Sequence, residues 1–364
     1  MEYRVVTEGS TRLNAPAGGG VSKREEVFYN PHMALNRDIT VALCRLLSPR
    51  SFLDVMAGSG ARGIRVANEA GTDVVLNDLN PRAVKLIGEN AQLNGVAVRV
   101  ESRDARQLLS SERFDYVDLD PFGPPVAFVD AALASVRVGG VLGVCATDTS
   151  ALCGTYPAAC KRKYDAWPLR CDCYDELGLR ILLGFIGRAA LRFERGIDPL
   201  FCHSTRHYMR VQARVHGRHA QTQRSIGYLQ YCPDCMWRGY AQLDGLVMLC
   251  GCGSRLKTVG PMWTGIFADP ELCARLSETL AETGFGERLK AVKLADTVGA
   301  EQSVTVPYYD LHVMCSKLKV PARGMAEVEA EIKSGGGVFT RTHFNDTGFR
   351  TNLPADSFAA ALKQ

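Results

Sequence analysis

Apolar positions between residues 51 and 146 fall into short runs separated by segments with the three-to-four spacing of helices. Short apolar strands that alternate with helices favour a parallel α/β sheet covered on both faces. The pattern predicts strands at Phe52–Val55, Val74–Asn77, Val96–Glu101, Tyr116–Asp120 and Gly140–Ala146, with helices at Arg62–Glu69, Pro81–Asn94, Ala105–Leu109 and Val126–Ser135.

The flanking regions have other patterns. A glycine-rich connector, Gly18–Gly20, precedes a predicted helix within Asn30–Leu47, and the alternation of residues 207–216 predicts a closing antiparallel strand. Residues 231–255 are rich in cysteine and glycine, and an α+β stretch with a helix at Glu327–Lys333 and a strand at Val338–Thr342 follows. We therefore expect three domains, at residues 1–228, 229–262 and 263–364.

Composition excludes several classes of protein. The 364 residues are 46% hydrophobic and 23% charged, close to the globular average, which excludes disordered and fibrous proteins. The apolar run Ile181–Leu191 is interrupted by Arg188 and is shorter than the ~20 residues of a membrane-spanning helix. The first four residues lack the pattern of a signal peptide. These features predict a cytoplasmic protein without a membrane partner.

Positive charge is concentrated in the middle of the chain. The net charge is only +4, but Thr155–Arg224 contains thirteen Lys and Arg against six Asp and Glu. A basic segment of this kind favours an anionic partner, although a solvated charged surface is the alternative interpretation.

A glycine-rich loop follows the first strand of the predicted sheet. Gly58, Gly60 and Gly63 fit the GxGxxG pattern, which allows a ligand to approach the backbone closely. Asp54 ends the strand four residues before Gly58. Its carboxylate would repel a pyrophosphate but attract the ammonium and sulfonium groups of S-adenosylmethionine. The loop therefore favours this cofactor, with a dinucleotide-dependent dehydrogenase as a distant alternative.

Two further carboxylates end the next strands in order. Asp78 is placed to accept hydrogen bonds from both ribose hydroxyls, and Asp104 from an adenine amino group. Each aspartate is also an ordinary helix N-cap candidate, but three on successive strands favour a nucleotide-like cofactor.

The fourth strand ends in Asp118-Leu-Asp-Pro-Phe-Gly-Pro-Pro125, at the ligand-binding edge of the sheet. An exocyclic amine on an aromatic ring is a poor nucleophile because its lone pair is delocalised. Asp120 and the carbonyl of Pro121 can accept its two hydrogens and direct the lone pair at a methyl group. Phe122 offers a face on which a base can stack. The alternative interpretation is a Pro-Gly loop with one capping aspartate.

Several motifs together resemble the tRNA guanine-N2 dimethyltransferase family, most closely its archaeal branch. They extend over nearly the whole chain and comprise VFYNPHMALNRDITV (27–41), DVMAGSGARGIR (54–65), NDLNPRAV (77–84), DLDPFGPP (118–125), GTYPAACKRKY (154–164), YYDLHVMCSKLKV (308–320) and RTHF (341–344). The resemblance implies a class I, Rossmann-like methyltransferase domain with a small zinc unit and a C-terminal tRNA-binding domain. It also implies N2-methylation and N2,N2-dimethylation of guanosine 26 in tRNA.

The resemblance also implies roles for individual residues. Arg37 and Arg62 match positions that hold the cofactor, plausibly through its carboxylate, and Ala105 joins Asp78 and Asp104 at the ribose and adenine positions. Asp120 matches the catalytic acid/base. Phe28 and Phe122 match aromatics that sandwich the guanine.

A tRNA substrate requires phosphate contacts and an extruded base. Guanosine 26 lies between two stems, so the enzyme must offset a few kcal/mol of unstacking. Basic side chains that could contact phosphates are Lys161, Arg162, Lys163, Arg206, Arg210 and Arg214, with Arg341, His343 and Phe344 close together near the C-terminus.

Four cysteines have metal-ligand spacing. Cys232 and Cys235 are separated by two residues, and Cys250 and Cys252 lie fourteen residues beyond. This arrangement predicts a closed structural zinc site. Archaeal members of the family typically have a second Cys-x-x-Cys pair, so the one-residue gap is a departure, which Gly251 and Gly253 would accommodate.

Two alternatives to the guanine-N2 assignment stay open. One is amino methylation of another base such as adenine, although the enzymes that do this usually have Pro-Pro and an aromatic residue after the acidic or amide position. The other is a non-catalytic, zinc-containing RNA-binding module, which would have no use for Asp54, Asp78 and Asp120. No obligate protein partner is evident from the sequence.

Overall fold

The structure, a computed structural model, describes residues 3–17, 26–355 and 357–358. The predicted connector Gly18–Gly20 lies outside the described residues. The chain divides into two compact units. Unit 1 comprises the described residues up to Ala146 with Gln212–Gly217 and Glu271–Asp296, and unit 2 comprises Thr147–Val211, Arg218–Pro270 and the described residues from Thr297 onward. These breaks differ from the predicted boundaries at residues 228 and 262, and the functions given to those segments stay predictions.

Elements up to residue 146 alternate as the sequence predicts. A 3-10 turn at Pro31–Met33 precedes the first helix. The elements are β1 Tyr3–Glu8, β2 Thr11–Pro16, α1 Ala34–Leu47, β3 Ser51–Asp54, α2 Ala61–Ala70, β4 Asp73–Asn77, α3 Pro81–Leu93, β5 Arg99–Glu101, α4 Ala105–Ser111, β6 Phe114–Leu119, α5 Val129–Ser135 and β7 Val136–Ala146.

A parallel sheet forms the centre of unit 1. Its strands follow the order β5-β4-β3-β6-β7, and the pairs β5-β4, β4-β3, β3-β6 and β6-β7 are all parallel. Apolar side chains such as Phe52, Leu53 and Val117 are fully buried because helices cover the strands. Asp54, the last residue of β3, pairs in register with Asp118 of β6. The parallel arrangement therefore collects the predicted site at one edge of the sheet.

A hairpin that the sequence analysis missed lies at the start of unit 1. Strands β1 and β2 pair antiparallel with Glu8 opposite Thr11. The backbone N–H of Asn14 donates to Asn90 Oδ1 of α3 at 2.7 Å, and Thr11 Oγ1 donates to Glu69 of α2 at 2.7 Å. These bonds fasten the hairpin to two helices, and they bring Glu8 toward the candidate site.

The remaining elements follow in chain order. A second 3-10 turn lies at Leu243–Gly245. The elements are α6 Thr149–Leu152, α7 Pro157–Tyr164, α8 Tyr174–Leu191, β8 Gly196–Thr205, β9 Tyr208–His216, α9 Ala220–Arg224, β10 Ile226–Tyr231, β11 Arg238–Ala241, β12 Lys257–Trp263, α10 Pro270–Ala281, α11 Arg288–Glu301, β13 Tyr309–Asp310, α12 Leu311–Leu318, α13 Met325–Ser334, β14 Phe339–Arg341 and β15 Gly348–Thr351. The predicted strand at 207–216 and the predicted helix and strand near residues 327–342 are confirmed.

Unit 2 is built around helix α8 and two small sheets, β11-β10-β12 and β13-β15-β14. A Cβ on Gly184 of α8 would lie 2.7 Å from the backbone of Met262, so only glycine allows α8 to pack this closely on β12. A buried cluster that includes Phe349, Val328 and Ile332 forms the core of the C-terminal part. Among the described residues, no helix is long and apolar enough to cross a membrane.

Candidate active site and metal centre

The carboxyl edge of the unit 1 sheet gathers several acidic side chains. Asp54 ends β3, Asp78 follows β4, and Asp118 and Asp120 lie at the end of β6. Asp54 and Asp118 are 2% and 0% exposed, whereas the side chain of Asp120 is 20% exposed. Asp120 is therefore the carboxylate at the end of β6 that solvent, or a ligand, can reach.

The loop after β3 depends on its glycines. Gly58 and Gly60 have φ angles of 55° and 75°, a backbone region that residues other than glycine rarely adopt. A Cβ on Gly58 would lie 2.9 Å from the carbonyl oxygen of Phe28. The same carbonyl accepts a hydrogen bond from the N–H of Ser59 at 3.1 Å. The loop and the backbone of Phe28 therefore hold each other in place.

Asp78 organises this loop through the backbone. Its Oδ2 accepts from the N–H of Gly58 at 2.8 Å, and its Oδ1 accepts from the N–H of Asn80 at 2.9 Å. Each carboxylate oxygen can accept a second hydrogen bond, so both remain suited to ribose hydroxyls. Asp78 thus has a structural role in the loop, and its contact with ribose stays a prediction.

Arg62 connects the acidic edge to helix α1. Its guanidinium is only 6% exposed and donates from Nη2 to Asp120, while Nε lies 3.2 Å from Asp118 Oδ1. Nη1 donates to Asn36 Oδ1 at 3.0 Å and to Thr40 Oγ1 at 2.9 Å. Such a buried, multiply bonded arginine fixes the orientation of the carboxylates it contacts.

Burial raises the pKa of Asp54 from 3.8 to about 7. The positive charge of Arg62 opposes this rise, and the nearby carboxylates of Asp118 and Asp120 add to it. Asp54 Oδ2 also accepts from the backbone N–H of Gly63 at 3.1 Å. A cation placed beside Asp54 would favour its ionised form, as the predicted cofactor chemistry requires.

Arg37 already contacts a carboxylate within the chain. Its Nε and Nη2 donate to Glu8 at 2.7 and 2.5 Å, and Nη2 also donates to the carbonyl of Asn30. Burial alone would raise the pKa of Glu8, but Arg37 and Arg65 outweigh it and lower that pKa to about 2. Nη1 of Arg37 makes no hydrogen bond to Glu8, and the contact of Arg37 with a cofactor stays a prediction.

The two aromatic rings expected to sandwich a base contact each other. The centroids of Phe28 and Phe122 are 4.6 Å apart and their planes are inclined at 79°. Phe122 is 47% exposed. A base needs ~7 Å between two parallel ring planes, twice an ordinary carbon–carbon contact distance. One ring must therefore move before a base can enter between them.

A cavity brings together five of the predicted site residues. Phe28, Arg37, Asp54, Arg62 and Asp120 all line it. Further lining residues, which the sequence analysis did not single out, are Tyr29, Asn30, Met33, Met56, Ala57, Ser59 and Ala61.

Asp104 and Ala105 are not among the residues that line this cavity. Asp104 is the N-cap of α4 and accepts from the N–H of Arg106 at 2.9 Å. A hydrogen bond from the Arg106 side chain lowers the pKa of Asp104. The capping alternative thus describes Asp104 in this structure, and its contact with adenine stays a prediction.

The four predicted metal ligands lie together in unit 2. Their sulfur atoms are all within 4.8 Å of one another. Cys232 and Cys252 have Sγ atoms 3.5 Å apart, as do Cys235 and Cys250. Zn–S bonds of ~2.3 Å would then meet at about 100°, near the tetrahedral angle. The one-residue gap between Cys250 and Cys252 therefore does not prevent a four-thiolate site.

The basic and aromatic residues considered for tRNA contact have different surroundings. Arg210 is fully buried, so its assignment as a phosphate contact is wrong. The His343 side chain is 3% exposed, with Nδ1 2.5 Å from Glu301 and Nε2 accepting from the N–H of Ser204. His343 thus belongs to a buried polar network of unit 2.

Comparison with known proteins identifies the family. The sequence profile described as N2,N2-dimethylguanosine tRNA methyltransferase matches residues 3–363. Relatives from Methanocorpusculum labreanum and Methanopyrus kandleri, both named tRNA (guanine(26)-N(2))-dimethyltransferase, are each 38% identical. These alignments cover 97% and 100% of this chain and 95% and 97% of the relatives. The chain belongs to this family.

A solved structure agrees with this dimethyltransferase assignment. Trm1 from Pyrococcus horikoshii, determined in complex with S-adenosyl-L-methionine, is 32% identical, and the match covers 99% of this chain and all of that one. The TM-score is 0.89. The predicted family and the class I methyltransferase fold are confirmed. Membership of the dimethyltransferase family favours the guanine-N2 prediction over the adenine and non-catalytic alternatives.

Four residues near this dimethyltransferase site were missed by sequence reasoning. Glu8 lies on a short hairpin with weak alternation, and Asn36, Thr40 and Asp118 lie among apolar neighbours, so each resembled an ordinary structural residue. Two features of the sequence could have indicated three of these residues. Asn36 and Thr40 share one face of α1 at a spacing of four, and Asp118 near the end of β6 lies two residues before Asp120, which follows the strand.

Proposed function

We propose that the chain transfers one or two methyl groups from S-adenosylmethionine to the exocyclic N2 of guanosine 26 in tRNA. The family and its relatives' names support this reaction. The observation that carries it is the cavity in which Asp120 lies with Asp54 and Phe28. A reachable carboxylate, a buried carboxylate suited to a cation and an aromatic face are the groups that amine methylation of a base requires.

The donors and acceptors of unit 1 fit S-adenosylmethionine. Asp54 would face its cationic amino-acid moiety, Asp78 its ribose hydroxyls, and Asp104 with Ala105 its adenine. The loop residues Gly58 and Gly60 would let it approach the backbone. When bound, it supplies an electrophilic methyl group on a sulfonium. The amino-acid carboxylate would bind to Arg37 or Arg62.

Asp120 would act on the guanine amine. Arg62 binds Asp120 Oδ2, which leaves Oδ1 to accept a hydrogen bond from N2. The carbonyl of Pro121 would accept the other hydrogen, so that the lone pair of the nitrogen points away from both acceptors. As N2 gains a bond to carbon it becomes acidic, and Asp120 takes up the proton that it releases. The second methylation would repeat these steps. N2 then carries one hydrogen, so only one of the two acceptors would receive a hydrogen bond from it.

Base capture would require the rings of Phe28 and Phe122 to separate. The carbonyl of Phe28 accepts a hydrogen bond from Ser59 of the loop, whereas Phe122 is half-exposed and precedes Gly123, which has a φ of 80° and where an added Cβ would contact no other atom. Phe122 is therefore the ring expected to move. Stacking of guanine would offset part of the unstacking free energy.

The four-cysteine cluster would hold a structural zinc ion, because four thiolates leave no open coordination position.

Phosphate contacts from Lys161, Arg162, Lys163, Arg206 and Arg214 stay predictions. Lys161 and Lys163 lie 2.5 and 3.0 Å from Asp165 and Asp148, so phosphates would compete with these carboxylates. A cytoplasmic location also stays a prediction.

Incubation with labelled S-adenosylmethionine and an unmodified tRNA transcript tests the proposal. Digestion to nucleosides is expected to give labelled N2-methylguanosine and N2,N2-dimethylguanosine. A transcript with adenosine at position 26 is the control and is expected to give neither product. Labelled N6-methyladenosine, or label that persists at equal yield in the control transcript, would overturn the proposal.

A further inference from the structure

A second pair of cysteine sulfurs lies in unit 2, immediately before α8. Cys171 and Cys173 flank Asp172, and their Sγ atoms are 3.6 Å apart. This separation nearly equals the 3.5 Å found for both pairs in the four-cysteine cluster. Cys173 is fully buried, whereas Cys171 is half-buried. The arrangement offers two thiolates to one ion beside a residue that is not fully buried.

Asp172 adds an oxygen to this pair. Its side chain is fully buried, and one of its carboxylate oxygens lies within 4.8 Å of both sulfurs. Oδ2 accepts from Arg238 Nη2 at 2.8 Å and lies 3.5 Å from the N–H of Asp310. Oδ1 is buried and has no hydrogen-bond partner among the residues that the structure describes. A buried carboxylate oxygen without a partner is rare in proteins because its desolvation is uncompensated.

Charge at this position balances when a divalent cation is added. Two thiolates and the Asp172 carboxylate would carry three negative charges, and the buried guanidinium of Arg238 contributes one positive charge. A divalent cation supplies the remaining two. Without a cation, the buried Asp172 Oδ1 has no hydrogen-bond partner among the described residues.

We infer that Cys171, Asp172 and Cys173 form a second zinc site, separate from the four-cysteine cluster. Thiolates select zinc over magnesium or calcium. Zn–S bonds of ~2.3 Å to sulfurs 3.6 Å apart meet at about 100°. Binding breaks two S–H bonds, forms two Zn–S bonds and releases two protons to solvent. Three protein ligands would leave a fourth position of a tetrahedral ion open to a water molecule.

This site would fasten the beginning of α8 to β11, since Asp172 bonds Arg238 of that strand. The alternative interpretation of the two neighbouring sulfur atoms is a disulfide between Cys171 and Cys173. It requires the sulfurs to close to ~2.05 Å and an oxidant to take up two electrons. The zinc site requires neither the closure of the sulfurs nor an oxidant, and it uses a carboxylate oxygen of Asp172 as a third ligand. The inference does not depend on methyl-transfer activity.

Metal analysis of the purified full chain tests this inference. Protein expressed with zinc and dialysed against zinc-free buffer is expected to carry two equivalents. The Cys171→Ser/Cys173→Ser variant is expected to carry one. Cys315→Ala removes a buried cysteine of unit 2 that lies in an apolar cluster, and this matched control is expected to keep two.

A second measurement on the wild-type chain covers the case in which the double variant does not fold. Cys171 is half-buried, so zinc should protect it from iodoacetamide, as peptide mass spectrometry would detect. Equal zinc content in the wild-type chain and the folded Cys171→Ser/Cys173→Ser variant would overturn the inference, and so would rapid alkylation of Cys171 in the zinc-loaded chain. An intact mass showing a Cys171–Cys173 disulfide in the purified protein would overturn it as well.

Discussion

Arg62 of α2 donates a hydrogen bond from Nη2 to the carboxylate of Asp120, which follows β6. The same guanidinium contacts Asp118, and Asn36 and Thr40 of α1 hold its other side. The carboxylate proposed to act on guanine is thus oriented by groups from a strand and two helices. Its geometry is set before a substrate arrives, which is how a catalytic group retains its position during the reaction.

The first prediction concerns Asp120 itself. We expect Asp120→Ala to abolish methyl transfer while the fold and the affinity for S-adenosylhomocysteine change little. The side chain is partly exposed, and Arg62 keeps Asp118 as a partner after the substitution. Single-turnover assays, circular dichroism and calorimetric titration would measure the three properties.

Asp73 offers a matched control, because it is an exposed aspartate at the amino end of β4, whereas the site lies at the carboxyl edge of the sheet. Asp73→Ala is expected to retain full activity. Near-normal single-turnover methylation by folded Asp120→Ala protein would remove Asp120 from the mechanism.

The second prediction concerns Phe122, which we expect to stack on the extruded base. Stacking contributes ~1–3 kcal/mol, so Phe122→Ala should lower kcat/KM for tRNA by roughly 5- to 150-fold. The affinity for S-adenosylhomocysteine should not change. Phe122→Trp is expected to recover most of the loss because it restores an aromatic face.

Phe193→Ala provides the control for the loss of a half-exposed phenylalanine, since Phe193 is 41% exposed and lies in unit 2. It should leave kcat/KM unchanged. If Phe122→Ala loses affinity for the cofactor and for tRNA equally, the ring supports the loop and does not bind the base.

The third prediction concerns Asp78. Asp78→Ala removes a charged acceptor proposed for the ribose hydroxyls, at a cost of about 1.5–3 kcal/mol. The dissociation constant for S-adenosylhomocysteine should therefore rise by ~10- to 150-fold. Because Asp78 also accepts the N–H of Gly58, the substitution loosens the loop as well.

A ligand without ribose hydroxyls separates these two effects. The 2′,3′-dideoxy analogue of S-adenosylhomocysteine should bind equally weakly to the wild-type chain and to Asp78→Ala if the ribose contact dominates. A further large loss of affinity in the variant would assign Asp78 to loop support alone.

Strand ends were predictable because parallel topology follows from local pattern. The runs at Phe52 and Val74 are long enough to read as buried strands, and their carboxyl ends then meet at one edge. The sequence therefore predicts that the glycine loop and Asp120 lie at one edge of the sheet, and the structure has both there. In contrast, nothing local indicates that Glu8, on a six-residue strand, reaches Arg37 and Arg65 across the chain.

Charge counting failed for a related reason. The basic segment includes Arg180 and Arg210, both fully buried, and Arg180 pairs with Glu176 inside unit 2. A count along the sequence treats these guanidinium groups as surface charge. Only the tertiary fold separates arginines that satisfy buried carbonyls and carboxylates from those that face solvent. Asp172 and Glu176 of the same segment are buried as well, so the excess of positive charge on its surface is unchanged, but Arg180 and Arg210 cannot contact an anionic partner.

The fourth prediction concerns pH and Glu8. The arginines overcome the effect of burial and lower the Glu8 pKa from 4.5 to about 2. Because the pKa is lowered in the folded state, its contribution to stability is complete above pH 4.5 and is lost as pH falls toward 2. Glu8→Gln should lower the free energy of unfolding by about 3–5 kcal/mol at pH 7, since it leaves buried arginines without their carboxylate.

Urea unfolding at pH 7 and near pH 2 would test the sign. The difference between the wild-type chain and Glu8→Gln should be large at pH 7 and should shrink toward pH 2. Glu89→Gln alters an exposed glutamate and should follow the wild-type pH dependence. A constant difference at both pH values would show that Glu8 contributes through packing and not through charge.

The last prediction concerns the four-cysteine cluster. Cys235 is exposed, so Cys235→Ser changes little in the core but removes one of four thiolates from the proposed ion. Since ligand binding to the folded state adds to stability, loss of zinc should lower the midpoint of thermal unfolding. We expect the variant to carry one equivalent of zinc fewer than the wild-type chain after dialysis. Asp234→Ala, an exposed neighbour between the two cysteines, should retain both the zinc and the midpoint. If Cys235→Ser keeps its full zinc content and its unfolding midpoint, the cluster does not bind zinc as a four-thiolate site, and residues 231–255 must be stabilised by packing alone.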